Sequence, residues 1–240
     1  MRFRASLAAL ALSSVALAAA PAGTLAQDKP AAPAAPAAPA ESWEKIDDDE
    51  GIAVFRREVP GSPVIAFKGV GVINAPIARV VAVVVDTPRT TEWMDSTAEA
   101  RVVRHVGPLE KIVYTHITTP PIVMKDRDFV TRAKAEIDGA KKRFVVRVQS
   151  VSDPGAPPTS YVRGEIHHSS FILTSIDNGK KTQVVTEIHA DPKGSVAKWV
   201  VNMFQKNWPH NTIKNLRKQV AKPDIKDAPE LRAMLAEQGL

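Results

Sequence analysis

Residues 127–138 read Arg127-Asp128-Phe129-Val130-Thr131-Arg132-Ala133-Lys134-Ala135-Glu136-Ile137-Asp138, and their alternation decides the fold class. One set of alternate positions is Arg127, Phe129, Thr131, Ala133, Ala135 and Ile137. The other set is Asp128, Val130, Arg132, Lys134, Glu136 and Asp138, which belongs in water. A period of two is that of a strand with one face toward an interior and one toward solvent. The following run, Arg143–Val151, turns Phe144, Val146, Val148 and Ser150 toward the same interior. Several of these inner side chains are small. A curved sheet faced with small side chains leaves volume that a helix or a ligand must fill.

Working outward, further runs rich in β-branched and aromatic residues read as strands. They are Ile52–Arg57, Val64–Ile73, Ala100–Val106, Lys111–Thr118, Tyr161–Ile176 and Thr182–Ala190. Asp138-Gly139 and Asn178-Gly179 are hairpin signals, so an antiparallel meander is expected. Asn74-Ala75-Pro76 opens a helix, with Asn74 as its cap and Ile77, Val80, Val81 and Val84 as its apolar stripe; Asp86-Thr87-Pro88 ends it. A second helix follows Gly194-Ser195. Its apolar residues fall at Val196, Trp199, Val200, Met203 and Phe204, then at Ile213, Leu216 and Val220, with a period near 3.6. Pro209 should kink or interrupt it. The expected fold is α+β: a strongly bent antiparallel sheet gripping one long C-terminal amphipathic helix.

The ends of the 240-residue chain differ from this middle. Arg2 and Arg4 precede an apolar Ala-rich stretch, Leu7–Ala20, and residues 1–26 read as a signal peptide cleaved after Ala26, with Ala20-Pro21-Ala22 as the second candidate site. Export, to a bacterial periplasm, is the expectation. Residues 27–42 repeat Pro-Ala-Ala and read as an extended, semi-rigid linker. Residues 43–222 form the domain, and 223–240 a charged, loosely packed tail. The absence of Cys excludes disulfides, Cys-ligated metal and cysteine nucleophiles.

The net charge of +6 is concentrated. Between Gly194 and Lys222 lie Lys198, Lys206, Lys214, Arg217, Lys218 and Lys222, with no Asp or Glu. Nucleic acid is not the expected partner, because no recognition motif and no interleaved aromatics accompany these bases. Two readings stand for Lys198, Lys206, Lys214, Arg217 and Lys218: docking on an anionic membrane surface, or a solvated helix face.

Six further pieces stand in order along the chain: Trp43…Gly51-Ile52…Phe67-Lys68-Gly69; Asp86…Arg89…Glu92-Trp93-Met94; Asp126-Arg127-Asp128-Phe129-Val130; Val162-Arg163-Gly164-Glu165; Asp191-Pro192-Lys193-Gly194-Ser195; and Trp199-Val200-Val201-Asn202. Together they resemble the StAR-related lipid-transfer (START) domain family. The resemblance implies a helix-grip fold of about nine antiparallel strands around a hydrophobic tunnel closed by the last long helix. It implies noncovalent binding of one sterol-like lipid or phospholipid by a monomer, without catalysis, cofactor or metal. An enzyme of the cyclase or aromatase kind, or a lipid-responsive sensor, is the alternative on the same scaffold.

Trp93, Met94, Arg127, Phe129, Thr131, Ala133, Phe144, Val146, Val148, Trp199, Met203 and Phe204 are the candidate ligand contacts, and the resemblance itself places Arg127 toward the cavity. Arg127 is inward by parity as well, and so needs a carboxylate, a backbone carbonyl or a head group. At the position matching a second inward Arg of many members stands Ala133, and Lys111–Thr118 holds no acid, which favours a mostly apolar ligand with one or two hydroxyls. His116 joins the candidate ligand contacts. His167 and His168 are adjacent and point to opposite sides of a regular strand: alternation favours His168 as the inward one, alignment favours His167, and a bulge would settle it. No His-x-His or His-x-x-x-His spacing supports metal. Pro121, Ile122, Val123 and Met124 match the loop near the tunnel mouth and read either as a gate against the C-terminal helix or as a cap on the core.

Overall fold

The computed structural model describes residues 42–119, 125–226 and 228–240, apart from the side chains of 198–200, 203 and 204. Its strands are β1 (Glu44–Asp49), β2 (Ile52–Arg57), β3 (Ala66–Ile73), β4 (Thr97–Gly107), β5 (Glu110–Ile117), β6 (Arg127–Asp138), β7 (Arg143–Ser150), β8 (Val162–Arg163), β9 (Glu165–Ile176) and β10 (Lys181–Asp191). The helices are α1 (Ile77–Val85), α2 (Lys198–Val220) and α3 (Pro229–Glu237), and a 3-10 segment spans Thr87–Glu92.

The strands form a single sheet in the order β1-β2-β3-β10-β9-β7-β6-β5-β4, with the two-residue β8 pairing with β6. The topology is therefore two meanders rather than one. Strands β1 to β3 run inward from one edge, α1 and the 3-10 segment carry the chain across to the other edge, and β4 to β10 return until β10 closes against β3 from Thr182↔Ile73 to Ile188↔Phe67. Only β8 is parallel to its partner. β1, Glu-Lys-Ile-Asp-Asp-Asp, has no apolar alternation and pairs only with β2 at the sheet edge.

α2 lies on the concave face, and glycine makes this possible. A Cβ on Gly69 would stand 2.8 Å from Pro209 Cβ and 3.2 Å from the Pro209 carbonyl oxygen; one on Gly71 would stand 2.9 Å from Ile213 Cγ2. β3 thus lets the helix approach its backbone directly. Of the two expectations for Pro209, a kink or an interruption, the interruption does not occur: the helix runs through it without ending. Its C-terminal half packs solidly: Ile213, Leu216 and Val220 join Ile52, Val184, Leu173 and the α1 residues Val80 and Val81 in the main core. Arg217 donates to the carbonyls of Val72, Glu50 and Gly51, and Lys214 pairs with Glu50 at 2.7 Å. These two cations fasten the helix to the β1–β2 turn.

α1 starts two residues later than its sequence signal. Pro76 occupies the cap position and Asn74 makes no capping bond. Tertiary contact supplies the anchor instead, since buried Thr182 donates to the Ala75 carbonyl at 2.8 Å. The C-terminal segment is not a loose tail. Ile225 and Leu235 are buried in the main core, with Leu231 and Leu240 packed against it.

The outer face of β6 is wet only in part. Arg132, Lys134 and Glu136 are exposed as alternation predicts. Asp128 and Val130, expected in water, are instead buried, Val130 beneath a second small cluster with Ile112, Tyr114 and Ala156. Asp128 accepts two bonds from Arg163 at 2.8 and 3.0 Å and one from Thr159 at 2.7 Å. Burial pushes its carboxyl up, but these donors outweigh burial and hold it below the ordinary value of 3.8.

Two outcomes follow from this packing. Gly69→Ala forces Cβ onto a rigid ring and a backbone carbonyl, so it should cost about 1–3 kcal/mol. It should lower the melting temperature by about 2–4 °C per kcal/mol, and by more than Gly71→Ala, whose main clash is a side-chain methyl; equal and unchanged melting would show that α2 does not sit this close. The folded Asp128 carboxyl titrates below its unfolded value, so its contribution is complete above that range and is lost as pH falls through the folded value. In Arg163→Met burial is left to dominate, and the acid-unfolding midpoint should move to higher pH. A wild-type midpoint in that variant would refute the pairing.

Candidate functional site

Between the concave face of the sheet and the N-terminal half of α2 lies a cavity of about 940 Å³. That is near the top of the range of about 300–1,000 Å³ for small-molecule sites. Its walls are built by strand parity. β6 supplies Arg127, Phe129, Thr131, Ala133 and Ala135, and β7 supplies Val146 and Val148. β5 adds Lys111, Val113, Thr115 and Ile117; β9 adds Ile166, Ser169 and Phe171; β10 adds Ile188 and Ala190. The roof is Val201, Gln205, Trp208 and Asn211, spaced three or four residues apart along one face of α2.

The segment after α1 contributes Trp93 and Met94. They are set in place by Glu92, whose carboxylate takes Arg89 at 2.7 and 2.8 Å, Gln219 at 2.8 Å and Lys222 at 2.9 Å. These donors, Arg89 foremost, hold Glu92 well below the usual carboxylate range. Trp93 meets Phe171 edge to face with centroids 6.3 Å apart, and Phe171 meets Trp208 likewise at 6.3 Å. Gly164 leaves room for the Phe129 ring, since a Cβ there would lie 2.3 Å from it.

Arg127, only 3% exposed, finds the backbone rather than a carboxylate. Its guanidinium donates to the carbonyls of Pro192 at 3.3 Å and Lys193 at 3.2 Å, and to that of Lys125. Burial lowers its pKa without removing its charge. Lys111 faces inward beside Ala133 in the β5–β6 register and donates to the Val85 carbonyl at the end of α1, at 2.6 Å. Burial lowers its pKa too. Two polar atoms of cavity-lining residues are buried without a partner among the described residues: the Trp93 Nε1 donor and the Gln205 Oε1 acceptor. The amide nitrogen of Gln205 donates to the Ala190 carbonyl at 2.7 Å, which fixes that side chain.

Of the residues expected against a ligand, Trp93, Met94, Arg127, Phe129, Thr131, Ala133, Val146 and Val148 line the cavity. Phe144 does not; it is fully buried within the solid core. His116 has the parity of Tyr114 and Asp128 and lies on the outer face, where it bonds Asp126 at 2.8 Å and stacks on Tyr161. The question of His167 against His168 has a third answer. The β9–β10 register shifts between His189 and Ala190, opposite His168 and Ile166, so His167 is the extra residue of a bulge. Neither ring lines the cavity: His167 approaches Glu165 at 3.5 Å and His168 approaches Glu187 at 3.6 Å. Trp199, Met203 and Phe204, the Lys198 side chain, and Pro121, Ile122, Val123 and Met124 lie outside the described residues.

Sequence reasoning passed over Lys111, Gln205, Asn207, Trp208 and Asn211 as lining residues, and likewise Ala228, Pro229, Glu230, Leu231 and Met234. Lys111 was legible by alternation with Val113 and Thr115. The polar residues of α2 were not, because an amphipathic search counts apolar positions. Of the basic residues assigned to docking, Lys206 and Lys218 are exposed, whereas Lys214 and Arg217 are taken up by the β1–β2 turn.

The pattern of the START domain matches residues 34–224 of this chain. A phosphatidylcholine transfer protein of Bos taurus is 27% identical over 180 residues, covering 74% of this chain and 83% of its own. An uncharacterized protein of Pseudomonas aeruginosa is 27% identical over 187 residues, with 76% and 88% covered. Among solved structures, the STAR-related lipid transfer protein of Xanthomonas axonopodis superposes with a TM-score of 0.67 at 28% identity, over 75% of this chain and 99% of that one. A glycine-bearing strand under a long helix, an aromatic and aliphatic hollow beside it, and a match across four-fifths of the sequence have one reading: the chain belongs to the START domain family.

Proposed function

We propose that this protein binds a single lipid noncovalently in the cavity and carries it between membranes, as an exported protein of a bacterial periplasm. The observation that carries the reading is the cavity itself, about 940 Å³ and walled mainly by aliphatic and aromatic side chains. Burying roughly 300 Å² of apolar ligand surface there would contribute about 7 kcal/mol, enough for stable loading without covalent chemistry. The relatives named as lipid transfer proteins support the same class. The Trp93 Nε1 donor and the Gln205 Oε1 acceptor suit a ligand with a hydroxyl or ester among its apolar atoms.

Transfer is favoured over catalysis by the relatives named as lipid transfer proteins. Of the three groups that could serve an enzyme in the sequence, Arg127 donates to backbone carbonyls, and His116 and His167 lie off the cavity, out of reach of a substrate held there. For membrane docking the exposed Lys206 is the better placed cation, because it sits on the half of α2 that roofs the cavity, whereas Lys218 sits on the half packed against the core.

Native mass spectrometry of the purified protein should show one lipid per chain, and Thr131→Trp or Ala133→Trp should abolish that mass increment while leaving the fold intact. Normal loading in both variants would mean that the ligand is held elsewhere. Binding to vesicles rich in phosphatidylglycerol should weaken with salt. A basic side chain at an anionic surface is worth about 1 kcal/mol, so Lys206→Glu should weaken vesicle binding roughly tenfold or more while lipid capacity stays unchanged. Salt-independent binding, or a larger loss from Lys218→Glu than from Lys206→Glu, would remove the docking role.

A further inference from the structure

The START match ends at residue 224, yet the cavity does not end there. Ala228, Pro229, Glu230, Leu231 and Met234, all beyond that match, form part of its wall. Pro108 and Leu109 of the β4–β5 turn and Val84 and Val85 at the end of α1 line the same cavity. In antiparallel strands successive turns alternate between the two ends of the sheet. The β4–β5 and β6–β7 turns therefore occupy one pole of the cavity and the β5–β6 connection the other. α3 stands at the first pole.

Its position is fixed from three sides. Leu235 is fully buried in the main core. At the helix end, Gly139 of the β6–β7 turn accommodates Gln238: a Cβ on Gly139 would lie 2.6 Å from the Gln238 carbonyl oxygen. The connector from α2 is clamped by two arginines. Arg79 donates to the carbonyls of Val220 at 3.1 Å, Lys222 at 2.6 Å and Ile225 at 3.3 Å. Arg89 reaches the Asp224 carboxylate at 2.8 Å and its carbonyl at 3.2 Å. With the anchors on one side of α3 buried, the half-buried Leu231 and Met234 are left over the hollow.

We propose that α3 is the end wall of the cavity and sets the length of ligand it accepts, with Leu231 and Met234 as the specificity-determining residues. The proposal rests on the lipid-binding reading and goes beyond it, because it assigns the gauge to a segment beyond the residues that the START pattern matches. A wall held by a buried leucine, a backbone contact and two guanidinium clamps does not swing, so size selection is built into the resting structure. Enlarging Leu231 and Met234 shortens the hollow; trimming them lengthens it.

The test loads the full chain from mixed vesicles of dilauroyl, dimyristoyl and dipalmitoyl phosphatidylcholine and reads the bound species by native mass spectrometry. Relative to wild type, L231W/M234W should raise the bound dilauroyl-to-dipalmitoyl ratio several-fold, and L231A/M234A should lower it several-fold. Should the bulky pair fail to fold, the alanine pair alone decides the matter. Identical distributions in wild type and the folded variants overturn the wall while leaving lipid binding intact. A wild-type protein that takes up none of the three lipids removes the lipid reading, and the wall with it.

Discussion

The contact on which the rest of the structure depends is the approach of α2 to the bare backbone of β3. With glycine at positions 69 and 71, Pro209 and Ile213 reach the strand at distances that any side chain would forbid. Helix and sheet can be this close along only part of their length, because the sheet curves and the helix does not follow it. Where they touch, the C-terminal half of α2 joins a solid core. Where they part, the N-terminal half spans a hollow whose floor is made of Thr131, Ala133 and Ala135. Cavity and core are thus two consequences of one contact. Larger residues on β6 could fill the hollow, but the small ones present cannot.

Charge in this protein mostly serves geometry. Basic residues that read in sequence as a surface for anionic membranes include two, Lys214 and Arg217, whose bonds hold the packed half of α2 to the β1–β2 turn. Glu92 draws Arg89, Gln219 and Lys222 together and so delivers Trp93 to the cavity wall. Arg127 ties the start of β6 to the segment that leads into α2. A buried guanidinium with three carbonyl partners is stable where a lone one is not.

The alternation of Arg127–Asp138 identified the concave face correctly, and so the floor of the cavity was legible before any coordinates. What alternation could not foresee is what covers the other face. Asp128 and Val130 are dry because residues 151–161 fold back over them, a long-range event without local signature. Parity also fails at a bulge: one extra residue in β9 puts His167 and His168 both outside the hollow, and neither neighbour in sequence announces it. β1 was silent because an acidic edge strand has no inner face to mark. The C-terminal residues read as a tail because a nine-residue helix with three large apolar positions looks weak in isolation. Its stability is tertiary, carried by Leu235 and by the two arginines of α1 and the 3-10 segment.

The closing elements are held by different kinds of contact. The packed half of α2 is clamped by Arg217, Lys214 and the β3 contact. The roofing half is tied by Gln205 to the Ala190 carbonyl, by Asn211 to Asp95 and by Trp208 edge to face on Phe171, with Val201 buried. At the α3 pole the chain is clamped by Arg79, Arg89, the Gly139 contact and a fully buried Leu235. Local opening in proteins follows the least costly set of broken contacts. Freeing α3 would expose core leucine and strip two guanidinium clamps, and that cost is what makes a short helix, weak by itself, serve as a fixed end wall.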